Sequence, residues 1–566
     1  MQDVSTLAAA VRDCLTPMGN LASSVYGHKY QHEVHDQDWA DTSARTAYHV
    51  MKSVGLDGEP YARAIAQRKF MPGGRYFYAA GRDLHQTQNC LLLQAEDSRE
   101  GWSDLMHKAS MALMTGAGIG IVYSLIRHEG AEIKRTGGLA TGPVSLMNII
   151  NEAGRRIMQG GSRRSAIWAG LSWWHPDALK FIEAKNWSPT LRKLKDEDFN
   201  FPCPLDGTNI SIILDDAFFY LMENPKEEVE IDVEGYYKGL KVGGSQAHQV
   251  YWAVVRQMLK TGEPGFSVDT GENKGEWLRN ACTEVSSRTS HDICNLGSIV
   301  QSRVESLDEM AYLTRLGTQF LIAGTVYSHV PYAEVDAVRT ENRRIGLGIM
   351  GVSEWLYRRG MRYEPNHTLY EYLNEYSQAT VYAHEFAKQL GLSLPVKTRA
   401  MAPTGTIGIV AETTTCLEPI YAVAYKRRYL KHDKWFYQYC VDPTAKRLID
   451  DGVHPDSIED AFSLAREPER RVRFQHWFQQ FVDHGISSTI NLPSWGSEFN
   501  NDSRVQDFGS MLLKYLPGLR GITCYPDGAR GGQPITPVKY ATALKHGFEE
   551  RQEDVCDLTK GGSCGD

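Results

Sequence analysis

The chain has 566 residues, 42% of them hydrophobic, which is enough for one large globular core or several smaller ones. Its 61 basic and 69 acidic residues leave a net charge of -8, which argues against a general nucleic-acid-binding surface. No stretch reaches the roughly 18 uncharged apolar residues of a membrane span, and Met1-Gln2-Asp3 lacks the basic-then-apolar pattern of a secretion signal, so the expectation is a cytoplasmic protein without membrane contact.

In chain order, residues 6–11 have a helical composition, and Asp41-Thr42-Ser43 is placed to cap a helix over 44–54. Residues 1–70 read as a helical lead-in, too short for a further regulatory domain of about 100 residues. Met71-Pro72-Gly73-Gly74-Arg75 punctuates the chain, and from Gln88 short apolar runs alternate with helical segments. Strands are predicted at 90–93, 120–124, 209–214 and 407–410, and helices at 102–114, 144–158 and 369–390. This interleaving predicts an α/β fold, with one large domain over 71–545 and no internal repeat. Residues 546–566 are charged and then glycine-rich, a flexible tail that carries Cys556 and Cys564.

The ten cysteines are dispersed and include no C-x-x-C pair, which argues against a disulfide framework and a closed zinc site. Within Asn280-Ala281-Cys282-Thr283-Glu284, an extended backbone would point Asn280, Cys282 and Glu284 to one side. A thiol can become a thiolate or thiyl radical, a carboxylate can move protons, and an amide can hold a substrate hydroxyl. Alone, the triplet fits a buried structural cysteine beside a solvated glutamate better.

Gly346-Leu347-Gly348-Ile349-Met350-Gly351 has dinucleotide-fingerprint spacing but follows a charged stretch, so it reads as glycines permitting close packing at the start of a helix. The loop Gln159-Gly160-Gly161-Ser162-Arg163-Arg164 offers guanidinium groups suited to phosphates, or a solvated basic turn. Pro403-Thr404-Gly405-Thr406 offers hydroxyls and open N–H groups for an anion. The tethered thiols Cys556 and Cys564 suit electron transfer by disulfide exchange.

Together with Asn89-Cys90, Trp174-His175-Pro176-Asp177, Thr261-Gly262-Glu263-Pro264-Gly265, Cys294-Asn295-Leu296 and Arg343-Arg344-Ile345, these stretches in this order make the chain resemble the catalytic subunit of ribonucleotide reductase from about residue 70 onward. That resemblance implies a ten-stranded α/β barrel of two five-stranded halves, with a central finger loop carrying Cys282. It implies that Cys282 forms a thiyl radical and takes the ribose 3′-hydrogen, Glu284 takes the 3′-hydroxyl proton, and Asn280 binds substrate. Cys90 and Cys294 would supply two reducing equivalents, and Cys556 and Cys564 would reopen the resulting disulfide. Thr404, Gly405 and Thr406 would hold substrate phosphate, while Asp97, Gln159, Arg163 and Arg164 resemble the dNTP-effector region, which in the family lies at a dimer interface.

The chain departs from the family pattern at Ala281, where proline is usual, and in the wider spacing of its tail cysteines. Residues 1–70 leave no room for a complete ATP cone. Family members that use a separate metal-containing subunit relay the radical through two adjacent tyrosines. Here Cys524 precedes a single Tyr525, which with Gly531-Gly532-Gln533-Pro534 favours the adenosylcobalamin-dependent class. Implied partners are a ribonucleotide, a dNTP effector, a thioredoxin- or glutaredoxin-like reductant and a second copy in a homodimer. The alternatives are a catalytic subunit served by a radical-generating β subunit with its own metal cofactor, a catalytically silent nucleotide-binding regulatory subunit, and a thiol-disulfide oxidoreductase working through the tail thiols alone.

Overall fold

A computed structural model describes residues 3–552 apart from 135, 160–162, 199–200, 272–273, 432–433 and 530–534. Ten short strands organise it: β1 (Phe70–Pro72), β2 (Cys90–Gln94), β3 (Gly118–Val122), β4 (Ile167–Ser172), β5 (Thr208–Asp215), β6 (Gly265–Asp269), β7 (Asp292–Val300), β8 (Ile345–Met350), β9 (Thr489–Leu492) and β10 (Gly521–Pro526). Strands β2 to β6 are parallel neighbours in that order. In the other half β7 pairs parallel with β8, and β9 with β10. The halves run antiparallel where β7 meets β2 and where β10 meets β6.

The two remaining edges, β8 and β9, are joined through residues 398–401. Leu347 bridges Arg399, and Met401 bridges Ile486. The Ala400 N–H reaches the Leu347 carbonyl at 3.0 Å and the Met401 N–H reaches the Gly485 carbonyl at 3.1 Å. The two halves of the expected α/β barrel are therefore present, but they are linked between β8 and β9 only by single bridges and not by a regular strand, so the strand ladder itself is not closed. Strand β1 is an additional antiparallel partner of β7.

Parallel strands covered by helices are buried on both faces, yet the two-residue period still sorts their side chains. Leu91, Leu93, Ile119, Ile121, Ile167, Ile210 and Ile212 face outward into a core shared with the helices. Cys90, Leu92, Val122, Trp168, Ile213, Cys294 and Leu296 form a separate interior cluster. Among the covering helices, Arg99–Thr115 is capped by the Ser98 hydroxyl and stopped by Gly116, whose φ of 102° suits glycine. The N-terminal helices Val4–Val11, Asn20–Lys29, Trp39–Lys52 and Glu59–Ala66 pack into the same core as β7 and β8, so the lead-in is built onto the barrel. The cap of Trp39–Lys52 is Asp38 in a capping box with Asp41, upstream of the Asp41-Thr42-Ser43 expected for it.

Four further expectations are corrected. Residues 407–410 form no strand but lie in the helix Gly405–Ala411, because Thr404 turns the chain at φ 52° and its carbonyl accepts the Gly408 N–H at 2.7 Å. A short apolar run bounded by glycine is ambiguous between the two periods. The helix expected over 369–390 is two, His367–Ser377 and Ala379–Gln389, meeting at Gln378. Gly346 and Gly348 lie within β8, where added β-carbons would meet Ala400 at 2.9 and 2.6 Å; the close packing is real, but it is a strand against the bridging segment 398–401 and not the start of a helix. Arg551–Gln552, expected in the flexible tail, pairs with the strand Lys434–Val441. Among the described residues no helix is long and apolar enough to cross a membrane.

Candidate active site

A hairpin enters the barrel between Leu278–Arg279 and Ser286–Ser287, which pair antiparallel. Its tip is Asn280-Ala281-Cys282-Thr283-Glu284-Val285. The backbone is a turn, unlike the extended segment expected from the residue spacing: the Thr283 N–H reaches the Asn280 carbonyl at 3.1 Å, and Thr283 sits at φ 69°. A β-branched residue in the left-handed region costs on the order of 1–3 kcal/mol and persists only where its surroundings impose it.

Those surroundings are glycines. A β-carbon on Gly120 would lie 1.9 Å from the Arg279 carbonyl oxygen, and one on Gly118 would lie 3.1 Å from the Ala281 methyl. From the opposite side a β-carbon on Gly485 would lie 3.0 Å from the Thr283 carbonyl, and the Gly485 N–H donates to the Glu284 carbonyl at 2.6 Å. The finger is thus gripped between β3 and the 485–487 segment, which limits its motion even though Ala281 replaces the usual proline. Gly120→Ala is expected to expel the loop, lower thermal stability by about 1–3 kcal/mol or more and collapse turnover; a variant matching the parent in both measurements would contradict this packing.

Buried charges fix the base of the hairpin. Arg279, fully enclosed, donates to the Val268 carbonyl at 2.8 Å, and burial lowers its pKa to about 10. Ser286 Oγ donates to Glu276 at 2.9 Å and Ser287 Oγ donates to Asp292 at 2.7 Å. Arg344 binds Asp292 at 2.5 Å and Glu276 at 3.5 Å, and Lys397 also pairs with Glu276. Paired and hydrogen-bonded, such charges hold one arrangement, whereas loss of a partner leaves an uncompensated buried ion.

The sequence-predicted residues converge at this tip. Cys90 and Cys294 are direct cross-strand partners in the β2–β7 register, and both are free thiols. Antiparallel partners have Cα atoms about 4.5–5.5 Å apart, inside the span of about 4.4–6.8 Å that a disulfide bridges. Glu284 and Cys282 both act electrostatically on Cys90, and the Asn280 amide faces Cys90 and Glu284 alike. The Val285 N–H donates to the Asn280 side-chain Oδ1 at 3.0 Å and so fixes the amide.

Burial governs the protonation states. It drives the Cys90 and Cys294 thiols well above their ordinary range, so all the sulfurs here are neutral thiols rather than thiolates. Cys282 is accessible, yet the surrounding protein and the nearby Glu284 raise its thiol as well. Burial lifts Glu284 to about 7, while its own backbone and Asn280 pull the other way. Glu284 Oε2 is buried without a hydrogen-bond partner among the described residues. A carboxyl poised near neutrality, with one unsatisfied oxygen beside an accessible thiol, is suited to exchange a proton with a bound hydroxyl.

The other predicted positions are less uniform. Thr404 is buried and its hydroxyl accepts the Cys416 N–H at 2.8 Å; Cys416 in turn lies within electrostatic reach of Glu284. Gly405 faces open space, and the Thr406 hydroxyl is hydrogen-bonded to Tyr30. Through Cys416 the Thr404 turn is linked to the surroundings of Glu284. Asp97 is held by Arg127 at 2.9 Å, before the helix Arg99–Thr115. Gln159 and Arg163 are backbone partners in a two-stranded hairpin with Met158 and Arg164, whose side chains and tip lie outside the described residues. Tyr525, half-buried on β10, alternates with Cys524, which packs outward into the helix-covered core with its thiol pushed up to about 12. Cys556 and Cys564, and the stretch 531–534, lie outside the described residues.

Sequence reasoning missed the residues that grip the finger: Gly118, Gly120, Gly485, Arg279 and the Glu276–Lys397–Arg344–Asp292 group. Glycine at alternate positions of β3 was the available signal, since it marks a strand face approached by another backbone.

The chain matches the family model "Ribonucleotide reductase, barrel domain" over residues 88–395 and 387–525. It belongs to the ribonucleotide reductase family. Among curated relatives it is 26% identical to the vitamin B12-dependent ribonucleoside-diphosphate reductase of Mycobacterium tuberculosis, over 84% of this chain and 73% of the relative. It is 25% identical to the protein of that name from Thermoplasma acidophilum, over 84% of this chain and 66% of the relative. A putative adenosylcobalamin-dependent ribonucleoside-triphosphate reductase of Mycobacterium phage D29 is 27% identical, over 81% of this chain and 74% of the relative. The gripped finger and paired thiols are thus features of a ribonucleotide reductase barrel.

Proposed function

We propose that this reductase converts ribonucleotides, as diphosphates, to 2′-deoxyribonucleotides with a radical started by adenosylcobalamin. The observation that carries the reading is the register pairing of Cys90 with Cys294 beside a finger bearing Cys282 and Glu284. Cys282, as a thiyl radical, takes the 3′-hydrogen. Glu284 accepts the 3′-hydroxyl proton, and the 2′-hydroxyl leaves as water. Cys90 and Cys294 give up two electrons and two protons and close a disulfide, and Cys282 returns the hydrogen to C3′. The balance is one ribonucleotide and two thiols to one deoxyribonucleotide, one disulfide and water. The register of Cys90 and Cys294 supports closure of a disulfide, because directly paired antiparallel residues stand within the Cα separation that a disulfide spans.

Asn280, held by the Val285 N–H, orients substrate, and the Thr404–Thr406 turn receives its phosphates. Cys556 and Cys564 return the reducing equivalents from a thioredoxin- or glutaredoxin-like donor. Effector binding falls to Asp97, Gln159, Arg163 and Arg164 at a homodimer interface, and the barrel domain spans 71–545 between a helical lead-in and a redox tail.

The fit to adenosylcobalamin rests on access: Cys282 is exposed whereas Cys90, Cys294 and Glu284 are buried, so an external radical source meets this thiol first. Adenosylcobalamin, when bound, would supply a carbon radical through its weak carbon–cobalt bond, and Cys282 is the residue placed to give up a hydrogen atom to it. A lone Tyr525 with Cys524 turned into the outer core offers no adjacent tyrosine pair for a partner subunit's radical. The purified chain with adenosylcobalamin, a dithiol and a ribonucleoside diphosphate is expected to turn over without a second protein. Silence until a metal-containing subunit is added would replace the cofactor assignment with the partner-subunit one.

A further inference from the structure

The helix Gly405–Ala411, whose first turn is the proposed phosphate cradle, is clamped at its other end by three arginines from three separate segments. Arg68 donates to the Val410 carbonyl at 3.2 Å, Arg303 donates to the Ala411 carbonyl at 3.0 Å, and Arg447 donates to the Glu412 carbonyl. Cations at a helix C-terminus complement its dipole and satisfy its last carbonyls. A single helical turn or two seldom needs three of them.

Arg303 also lines a cleft of about 440 Å³ between the N-terminal segment, residues 302–305 and the end of the helix Val352–Arg358. Lys69, Arg303, Arg358 and Arg359 contribute four positive charges to its wall, against one negative charge from Glu305. Lys69 is paired with Glu309, and Arg358 meets Glu354 at 2.9 Å. Arg359 has no carboxylate partner among the described residues and rests on the Trp355 ring at 4.1 Å. The Nε of Arg303 is buried without a hydrogen-bond partner among the described residues. No aromatic ring lines the cleft, so there is no stacking surface for a base, and a ligand here is recognised through its charged oxygens. The volume falls within the range of about 300–1,000 Å³ usual for small-molecule sites.

We propose that this cleft binds a di- or polyphosphate group, and that the bound anion acts on the substrate cradle through Arg303. An anion drawing on the Arg303 guanidinium competes with the Ala411 carbonyl for it. Loosening that contact removes one of the three arginine clamps on the C-terminal end of a two-turn helix whose N-terminal end is held by the Tyr30–Thr406 hydrogen bond, and leaves those from Arg68 and Arg447. The anion site stands independently of the reductase reading, whereas its coupling to turnover rests on that reading.

Calorimetric titration of the full chain with inorganic pyrophosphate tests the site. The parent is expected to bind, with affinity falling at least about tenfold in Arg359→Gln, a change at an exposed side chain that poses no folding hazard. Arg303→Gln is expected to do the same, and Thr406→Val is expected to retain the binding. A parallel titration with ADP identifies the source of the phosphate: tighter binding than pyrophosphate indicates a nucleotide, and equal or weaker binding indicates a free inorganic anion. Absence of pyrophosphate binding at millimolar concentration, parent-like binding in Arg359→Gln, or loss only in Thr406→Val would overturn the proposal. For the coupling, pyrophosphate is expected to shift substrate KM in the parent and leave it unmoved in Arg359→Gln. An unshifted KM in a turning-over parent refutes the coupling but leaves the site, while absence of any turnover refutes the reductase reading instead.

Discussion

Cys282→Ser is expected to abolish deoxyribonucleotide formation, with a fall in kcat of at least about 10⁴-fold. Serine replaces sulfur by oxygen at an accessible tip, so nothing in the packing is disturbed and stability should stay within about 0.5 kcal/mol of the parent. An O–H bond is much stronger than an S–H bond, and the hydroxyl therefore cannot take the sulfur's place in hydrogen-atom transfer. Cys90 and Cys294 remain intact in this variant and should still interconvert between dithiol and disulfide when oxidised and reduced chemically. Thiol titration separates the two functions: a variant that retains turnover, or one in which the pair can no longer be closed, contradicts the division of labour among the three sulfurs.

Glu284→Gln is expected to lower kcat by about 10²–10⁴-fold while stabilising the protein at alkaline pH. Burial lifts the Glu284 carboxyl from its ordinary 4.5 to about 7, so in the folded state it binds a proton more tightly than in the unfolded chain. A raised carboxyl favours folding fully only at low pH. Its contribution is lost as pH rises from about 4.5 through 7, where burial penalises the ionised form. The interval corresponds to about 3 kcal/mol, an upper value for the stability gained at pH 8 when neutral glutamine removes the penalty. Activity runs in the opposite sense: the base must be deprotonated, so kcat of the parent should climb with pH through about 7 and the residual activity of the variant should lack that limb. Unfolding midpoints at pH 5 and pH 8 give the check, and a variant less stable than its parent at pH 8 would show that Glu284 is held ionised by something other than the surroundings described here.

Stability and activity are opposed at this position for a physical reason. A carboxyl with one unsatisfied oxygen, fully enclosed, is a poor choice for folding and a good one for meeting a substrate hydroxyl. The left-handed Thr283 next to it is a second local cost at the same tip.

Much of the chemistry was legible in the residues themselves. The order of the motifs, three well-separated cysteines with an asparagine and a glutamate, and a cysteine before a single Tyr525 follow directly from the amino-acid order, because reactivity is a property of the side chain. The parallel half of the barrel was legible too, since β2 and β5 are short apolar runs bounded by polar or turn residues, as strands buried on both faces are. Other features depended on contacts remote in sequence. The run at 407–410 became a helix because Thr404 turned the chain; the two halves are linked between β8 and β9 by bridges at Arg399 and Met401 that no local pattern marks. That Cys90 stands directly opposite Cys294, that Gly118, Gly120 and Gly485 leave room for the finger, and that Arg303 joins a basic cleft to the phosphate-cradle helix are facts of register and close approach. Residues some 200 apart in sequence meet only when the sheet curls, and it is that curling, driven by burying two separate cores, which turned a list of reactive groups into a site.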